Sequence, residues 1–184
     1  FGSDIRAYDI EDLRSHIGIV PQKAVLFKGT VAENLRWGNE KASDDELYEA
    51  LEISQAREFV DRKEGGLDFQ IEQGGRNLSG GQKQRLTIAR ALVRRPDILI
   101  LDDSASALDY ATDAALRTAI RLIKDGPTVF IVSQRASSIQ YADKILVLDD
   151  GELAGAGTHE ELLAVCPAYQ EIYYSQFPKE AANG

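Results

Sequence analysis

Leu78-Ser79-Gly80-Gly81-Gln82 opens the stretch that decides how this chain folds. It runs on through Lys83-Gln84-Arg85-Leu86-Thr87-Ile88-Ala89-Arg90-Ala91-Leu92-Val93 and, past Pro96, into Ile98-Leu99-Ile100-Leu101-Asp102-Asp103. Ser79 and Gln82 have the spacing of a capping box at a helix start, with two glycines between them. Helix formers continue to Val93, and Pro96 stops them. Glycines at a helix N-terminus leave backbone N–H groups uncovered at the positive end of the helix dipole, which suits an anion. The apolar run that follows reads as a buried strand tipped with two carboxylates. An anion-binding helix start followed by an acid-tipped strand suggests phosphate and metal chemistry.

Upstream, Asp9 is placed to cap a short helix beginning Ile10-Glu11-Asp12-Leu13-Arg14. His16-Ile17-Gly18-Ile19-Val20 reads as a short strand closed by Pro21-Gln22. Val25 to Thr30 loops into a helix capped at Thr30 that carries Val31, Leu35 and Trp37. Trp37 is expected to pack against this part of the chain, with stacking on a nucleobase as the alternative. Ser43 and Glu46 form a second capping box, and Leu47, Ala50 and Leu51 share one helix face. Ser54 is expected to cap a further helix ending near Arg62, before Gly65-Gly66. Residues 66–77 form a polar loop leading to Leu78. Helices wedged between two strands imply an inserted helical lobe, about residues 23–95, rather than an independent domain.

Downstream, Asp109 is expected to cap a helix through about Ile123, with Ala111, Ala115, Ala119 and Ile120 on its narrow apolar side. Asp125-Gly126-Pro127 breaks it. Thr128-Val129-Phe130-Ile131-Val132 and Ile145-Leu146-Val147-Leu148 are β-branched or apolar throughout. Such continuous apolar strands alternating with helices imply a parallel sheet covered on both faces. Asp149-Asp150-Gly151 is a tight turn into a last strand, Glu152-Leu153-Ala154. Thr158 and Glu161 form another capping box, and residues 178–184 are expected to be a disordered tail.

Composition narrows the function. At 184 residues, with 43% hydrophobic and 28% charged residues, the chain has the makeup of an ordinary globular protein. The net charge of −9 and the absence of a long basic run argue against a nucleic-acid surface. Cys166, the single cysteine, forms no internal disulfide, suits a reducing cytosol and lacks a histidine at any motif spacing, so it reads as an inert thiol. No apolar run reaches the roughly 20 residues of a membrane span. Phe1-Gly2-Ser3-Asp4 has neither the basic nor the apolar region of a signal peptide. The lack of methionine, even at position 1, is expected of a chain cut from something larger.

At these residues the chain resembles the nucleotide-binding domain of an ABC transporter. The Leu78–Gln82 signature, the acid-tipped strand about twenty residues later, and Ser106-Ala107-Leu108-Asp109 carry the resemblance, which covers essentially residues 1–175 in family order. It implies an α/β, P-loop NTPase-like parallel sheet with helices on both faces and an inserted helical signature subdomain, all within one partial domain over residues 1–177. It implies ATP and Mg²⁺ as cofactors. Gln22, after Ile19-Val20-Pro21, matches the Q-loop glutamine, which contacts the magnesium and couples to the membrane domain. Asp102 matches the Walker B aspartate, which holds Mg²⁺ through water; a carboxylate at the carboxyl end of a parallel strand lies where α/β sheets bind ligands. Ser106 to Asp109 matches the D-loop, which touches the opposite subunit. Leu26 to Leu35 is similar to the corresponding phrase of exporters.

Departures from the family pattern matter more than the matches. No G-x-x-x-x-G-K-[ST] occurs, nor any Gly-Lys pair, so the lysine and the nest of N–H groups that supply most triphosphate affinity are missing, and these residues alone are expected not to bind ATP tightly. Asp103 stands where active members carry the glutamate that polarises the attacking water, and its reach is about 1.5 Å shorter. A misplacement of about 1 Å can cost on the order of 10²-fold in rate. Gln134, in Ile131-Val132-Ser133-Gln134-Arg135, occupies the position of the switch histidine; an amide can hydrogen-bond a phosphate but carries no positive charge. Gln73, where many members have glutamate, is a softer departure that bears on coupling to the membrane helices.

Family domains dimerise head to tail, each signature completing the partner's ATP site. An intact Ser79-Gly80-Gly81-Gln82 beside an altered Asp103 and Gln134 is the pattern of one half of a heterodimeric exporter. The implied partners are a second, different nucleotide-binding domain and transmembrane domains, without nucleic acid, at the cytoplasmic face of the cell membrane. The competing classes are a soluble ABC-type ATPase acting on DNA or ribosomes and a non-catalytic interaction fragment. An exposed apolar sheet edge, left by the missing phosphate-loop strand, is expected to invite oligomerisation.

Overall fold

The computed structural model describes residues 4–104 and 106–177, and the chain divides into two compact units, one ending at Val132 and the other beginning at Ser133. The expected tail at 178–184 lies outside the described residues. No helix among the described residues is long and apolar enough to cross a membrane.

In the first unit, α1 (Ile10–Ser15) is capped by Asp9, whose carboxylate accepts from the amides of Glu11 and Asp12, and it runs directly into β1 (Ile17–Val20). A loop leads to the two-residue strand β2 (Gly29–Thr30) and to α2 (Val31–Arg36), where Thr30 and Glu33 close a full capping box. Ser43 and Glu46 do the same for α3 (Asp44–Ile53), which buries Leu47, Ala50 and Leu51. The short helix α4 (Arg57–Asp61) follows. Next come β3 (Gln70–Ile71), antiparallel to β2, then α5 (Gly80–Val93) and β4 (Ile98–Asp102). The unit closes with α6 (Tyr110–Arg121) and β5 (Thr128–Val132).

β1, β4 and β5 form a parallel sheet with β4 in the centre. Its two faces differ sharply. Gly18, Leu99 and Val129 align across the sheet, as do Val20, Leu101 and Ile131, and this face carries the buried residues. Leu86, Ile88, Leu92 and Val93 of α5, with Leu116 and Ile120 of α6, join the same core cluster. On the other face Ile19 and Phe130, at the same level, stand 60% and 53% exposed, with Val132 at 55%.

Two local expectations are corrected. Ser54 does not cap α4; it ends α3, its hydroxyl donating 3.1 Å to the Leu51 carbonyl, and Ala56 stands at the N-cap of α4 without a side-chain cap. The chain there turns through Gln55 at φ 60°, and three residues, Ser54 to Ala56, separate the end of one helix from the start of the next. The face α6 buries is Asp113, Leu116 and Ile120, while Ala111 and Ala115 are exposed. Buried Asp113 is paired with Arg117 at 3.1 Å, which lets an acid take a place that composition alone assigns to alanine.

In the second unit, α7 (Ala136–Ile139) precedes β6 (Ile145–Asp149), β7 (Glu152–Gly157), α8 (His159–Val165) and α9 (Pro167–Gln176). β6 is as apolar as β5, yet it pairs antiparallel with β7 through a two-residue turn. Asp150 and Gly151 both have positive φ, 46° and 83°, the requirement of the tight Asp-Gly hairpin turn. Ile145, Val147, Leu162, Cys166 and Tyr169 form this unit's core.

Candidate nucleotide and metal site

The signature helix begins as its residue types dictate. Ser79 is the N-cap of α5; its hydroxyl accepts from the Gln82 amide at 3.2 Å, and the Gln82 side-chain oxygen accepts from the Ser79 amide at 3.0 Å. Gln82 is thereby committed to the cap. The two glycines differ in what surrounds them. A Cβ on Gly81 would stand 3.2 Å from the carbonyl oxygen of Ala107, whereas one on Gly80 would meet nothing within 4 Å. The helix start is therefore pressed against the 106–109 loop on one side and open on another. With its dipole and bare amides, that open side fits an anion.

Asp109 caps α6. Its carboxylate accepts from the Thr112 amide at 2.9 Å and the Thr112 hydroxyl at 2.8 Å, which holds it below the usual carboxylate range. Two arginines of α5, unremarked in the sequence, brace the helix. Arg85 donates 2.6 Å to the Gln55 carbonyl and lies 4.9 Å over the Phe59 ring; burial lowers its pKa, against the opposing charge of Asp109. Arg90, its pKa also lowered by burial, donates to the Asn34 and Val25 carbonyls and to Asn34 Oδ1 at 2.9–3.1 Å. The signal for Arg90 was its spacing: it lies four residues after Leu86, on a face that is otherwise core.

Gln22, Asp102 and Asp103 come together at the carboxyl ends of β1 and β4. Val20 pairs with Leu101, so Gln22 and Asp103 lie two residues past paired positions on neighbouring strands. The Gln22 side-chain amide donates to Asp103 Oδ2 at 3.1 Å. Asp102 ends β4, exposed, opposite Val132. Asp103 has φ 42°; its amide donates to the Val132 carbonyl at 2.8 Å, and its own carbonyl accepts from the Ser106 amide and hydroxyl.

Gln134 belongs to the second unit. Its carbonyl accepts from Gln176 Nε2 at 2.7 Å while Gln176 Oε1 accepts from the Ala136 amide at 3.0 Å, so α9 pins the backbone there. Gln176 carried no sequence signal, being a polar residue near the end of a helix.

Trp37 stacks on Phe27 at 4.3 Å between ring centroids yet stays 65% exposed. The pair neighbours a cavity of about 150 Å³ lined by Ile17, Ile19, Val25, Trp37, Arg90 and Arg94 among others.

Among the described residues no group of three or more His, Cys, Asp or Glu side chains could enclose an ion. Asp102 with Gln22 supplies one carboxylate and one amide oxygen, which suits Mg²⁺, an ion that commonly takes one or two protein ligands and fills its shell with phosphate and water. An acid at a parallel strand's carboxyl end and a glycine-opened helix start together define an α/β nucleotide-binding protein.

Comparison with known proteins narrows this class. The ABC transporter family profile matches residues 1–106. An uncharacterized ABC transporter ATP-binding protein of Mycobacterium tuberculosis is 47% identical over 100% of this chain and 32% of its own length. A beta-(1→2)glucan export ATP-binding/permease protein of Rhodopseudomonas palustris is 44% identical over 96% of this chain and 29% of its own. The structure of a bacterial Atm1-family ABC exporter with ATP bound superposes with a TM-score of 0.90 and 38% identity, over 95% of this chain and 31% of that one. The chain belongs to the ABC transporter family, within its ATP-binding domain. It spans about a third of the length of the curated relatives it matches.

Proposed function

We propose that this chain is part of an ATP-binding subunit of an ABC exporter, seated at the cytoplasmic face of a membrane, which lends its signature to a second, different nucleotide-binding domain while its own site turns over slowly or not at all. The observation that carries this reading is the contrast between an intact, capped signature helix with an open Gly80 and an acid-tipped strand whose catalytic position is a short aspartate. Ser79, Gly80, Gly81 and Gln82 contribute the helix start that faces the partner's nucleotide, and Asp109 holds the loop beside it.

On the chain's own side, Asp102 and Gln22 would hold Mg²⁺. The ion, when bound, neutralises phosphate charge. Asp103 stands in the place of the general base with a shorter reach, and Gln134 supplies a neutral amide where a histidine would add positive charge. Residues 23–95 act as a helical lobe, and the Trp37–Phe27 stack beside the cavity offers the face for the transmembrane domains. Strongly exposed aromatics next to a cavity are the side chains that anchor interfaces.

The test pairs the complete subunit with its partner and compares wild type with Asp103→Glu plus Gln134→His. Site-specific single-turnover measurements should show faster hydrolysis at this subunit's own site in the doubly restored variant, by about 10²-fold. A wild-type site already as fast as the restored one refutes the degenerate-site reading.

A further inference from the structure

The Asp at position 103 does more than shorten an acid. We propose that Asp103 is a positioning residue for Gln22: its carboxylate clasps the Gln22 side-chain amide and fixes the start of the 21–28 loop to the end of β4. The inference rests on the reading above only in assigning Gln22 to the metal site.

Three observations carry it. First, β1 and β4 run parallel with Val20 beside Leu101, and two residues further along each strand the side chains of Gln22 and Asp103 meet at 3.1 Å. The contact thus continues the sheet pairing past the point where the backbone ladder ends. Second, the main chain of Asp103 is held from both directions: its amide donates to the Val132 carbonyl at 2.8 Å, and its carbonyl accepts from Ser106 Oγ at 2.8 Å and the Ser106 amide at 3.2 Å. With the Cα anchored, side-chain length sets where the carboxylate lands. Glutamate would carry it about 1.5 Å further, past the position from which it meets the Gln22 amide at hydrogen-bonding distance. Third, Asp103 has φ 42°, in the left-handed region, which aspartate and asparagine tolerate better than longer side chains do.

The rest of the loop has other ties. The Val25 carbonyl accepts from Arg90, and Phe27 exchanges two hydrogen bonds with Asn34. The Pro21 carbonyl accepts from the Gln84 amide at 3.5 Å. Gln22 is therefore the residue through which the loop's first half is held to the sheet. The clasp uses the Gln22 Nε2–H, which leaves Oε1 available to a metal, so Asp103 fixes the direction in which that oxygen is presented. The residue that weakens the base thereby also orients the metal-contacting glutamine.

The clasp makes an inverted prediction. Asparagine, without charge, keeps the length, the φ tolerance and an oxygen acceptor, so Asp103→Asn should preserve the clasp. Asp103→Glu keeps the charge and should lose it. Hydrogen–deuterium exchange of the 20–26 segment, followed in the nucleotide-free complete protein, is expected to rise about three- to ten-fold in Gln22→Ala, Asp103→Ala and Asp103→Glu, and to stay within two-fold of wild type in Asp103→Asn. Protection retained in Asp103→Glu, or lost in Asp103→Asn, overturns the proposal.

A second readout covers variants that fold poorly. In a double-mutant cycle on the Mg²⁺ concentration for half-maximal binding of a non-hydrolysable ATP analogue, Gln22→Ala and Asp103→Ala should be non-additive by about three- to ten-fold. Additivity overturns the clasp. Because exchange is read without nucleotide, its outcome is independent of whether the site hydrolyses ATP.

Discussion

The Cβ position of Gly81 lies 3.2 Å from the carbonyl oxygen of Ala107, while that of the adjacent Gly80 faces open space. Two neighbouring glycines in one motif are therefore glycine for different reasons. Gly81 is small because the 106–109 loop of its own chain presses on the helix start. At Gly80 nothing among the described residues fills the space, which is the condition for another molecule's phosphates to approach the amides.

This difference is measurable in stability. Replacing glycine by alanine at a compatible helical position stabilises by about 0.5–1 kcal/mol. Gly80→Ala should gain part of that amount in urea denaturation, whereas Gly81→Ala should lose it against the Ala107 carbonyl and come out about 1 kcal/mol below Gly80→Ala. If the chain pairs with a second nucleotide-binding domain as proposed, the ranking of function should differ from that of stability: Gly80→Ala, although folded and stable, should weaken nucleotide trapping between the two domains. Equal stability of the two variants would remove the distinction.

Much of the fold was legible because capping chemistry is local. Ser79 with Gln82, Ser43 with Glu46, and Thr158 with Glu161 each announce a helix start, and the structure closes all three boxes, with Thr30 and Glu33 as a fourth. What stayed hidden depends on partners distant in sequence. Ser54 has the composition of a cap, but the turn through Gln55 left it at the end of α3. Asp113 is buried on α6 because Arg117, one turn on, neutralises it. The apolar content of Ile145–Asp149 does not distinguish a parallel neighbour from a hairpin, whereas the Asp149-Asp150-Gly151 turn that follows it was readable as a tight turn and does. At the site, Gln22, Asp102 and Asp103 were readable as residue types at strand ends. The hydrogen bond between Gln22 and Asp103 was not, because it depends on β1 and β4 being adjacent and in register.

The cap on α6 sets a pH dependence. Asp109 is held below the ordinary carboxylate value, first by the Thr112 amide and then by the Thr112 hydroxyl. A group whose folded pKa is depressed contributes stability that is complete above its unfolded pKa and fades as pH falls through the folded one. The contribution is thus full above about pH 4 and disappears below it. Asp109→Asn keeps an N-cap acceptor but no titrating charge. The gap in thermal midpoint between wild type and Asp109→Asn should be constant from pH 7 to 5 and shrink below pH 4. A gap that is unchanged down to pH 2.5 would show that the charge on Asp109 adds nothing to the cap.

The exposed aromatic stack separates folding from coupling. Trp37 is 65% exposed and rests on Phe27, whose ring also lies 5.4 Å from the Arg90 guanidinium. A stacked aromatic pair contributes about 0.5–1.5 kcal/mol beyond burial, and here half of the pair faces solvent. Trp37→Ala should therefore lower stability by no more than about 1 kcal/mol. If this face seats the transmembrane domains, the same truncation removes an interface anchor, and such residues commonly cost 2 kcal/mol or more in binding. The expected phenotype in the assembled exporter is a domain that still binds nucleotide while its ATPase no longer responds to transported substrate. Trp37→Phe, which keeps a ring on Phe27, should restore part of that response. A Trp37→Ala exporter with wild-type coupling would place the docking face elsewhere, whereas a large loss of stability would mean that the stack belongs to the core despite its exposure.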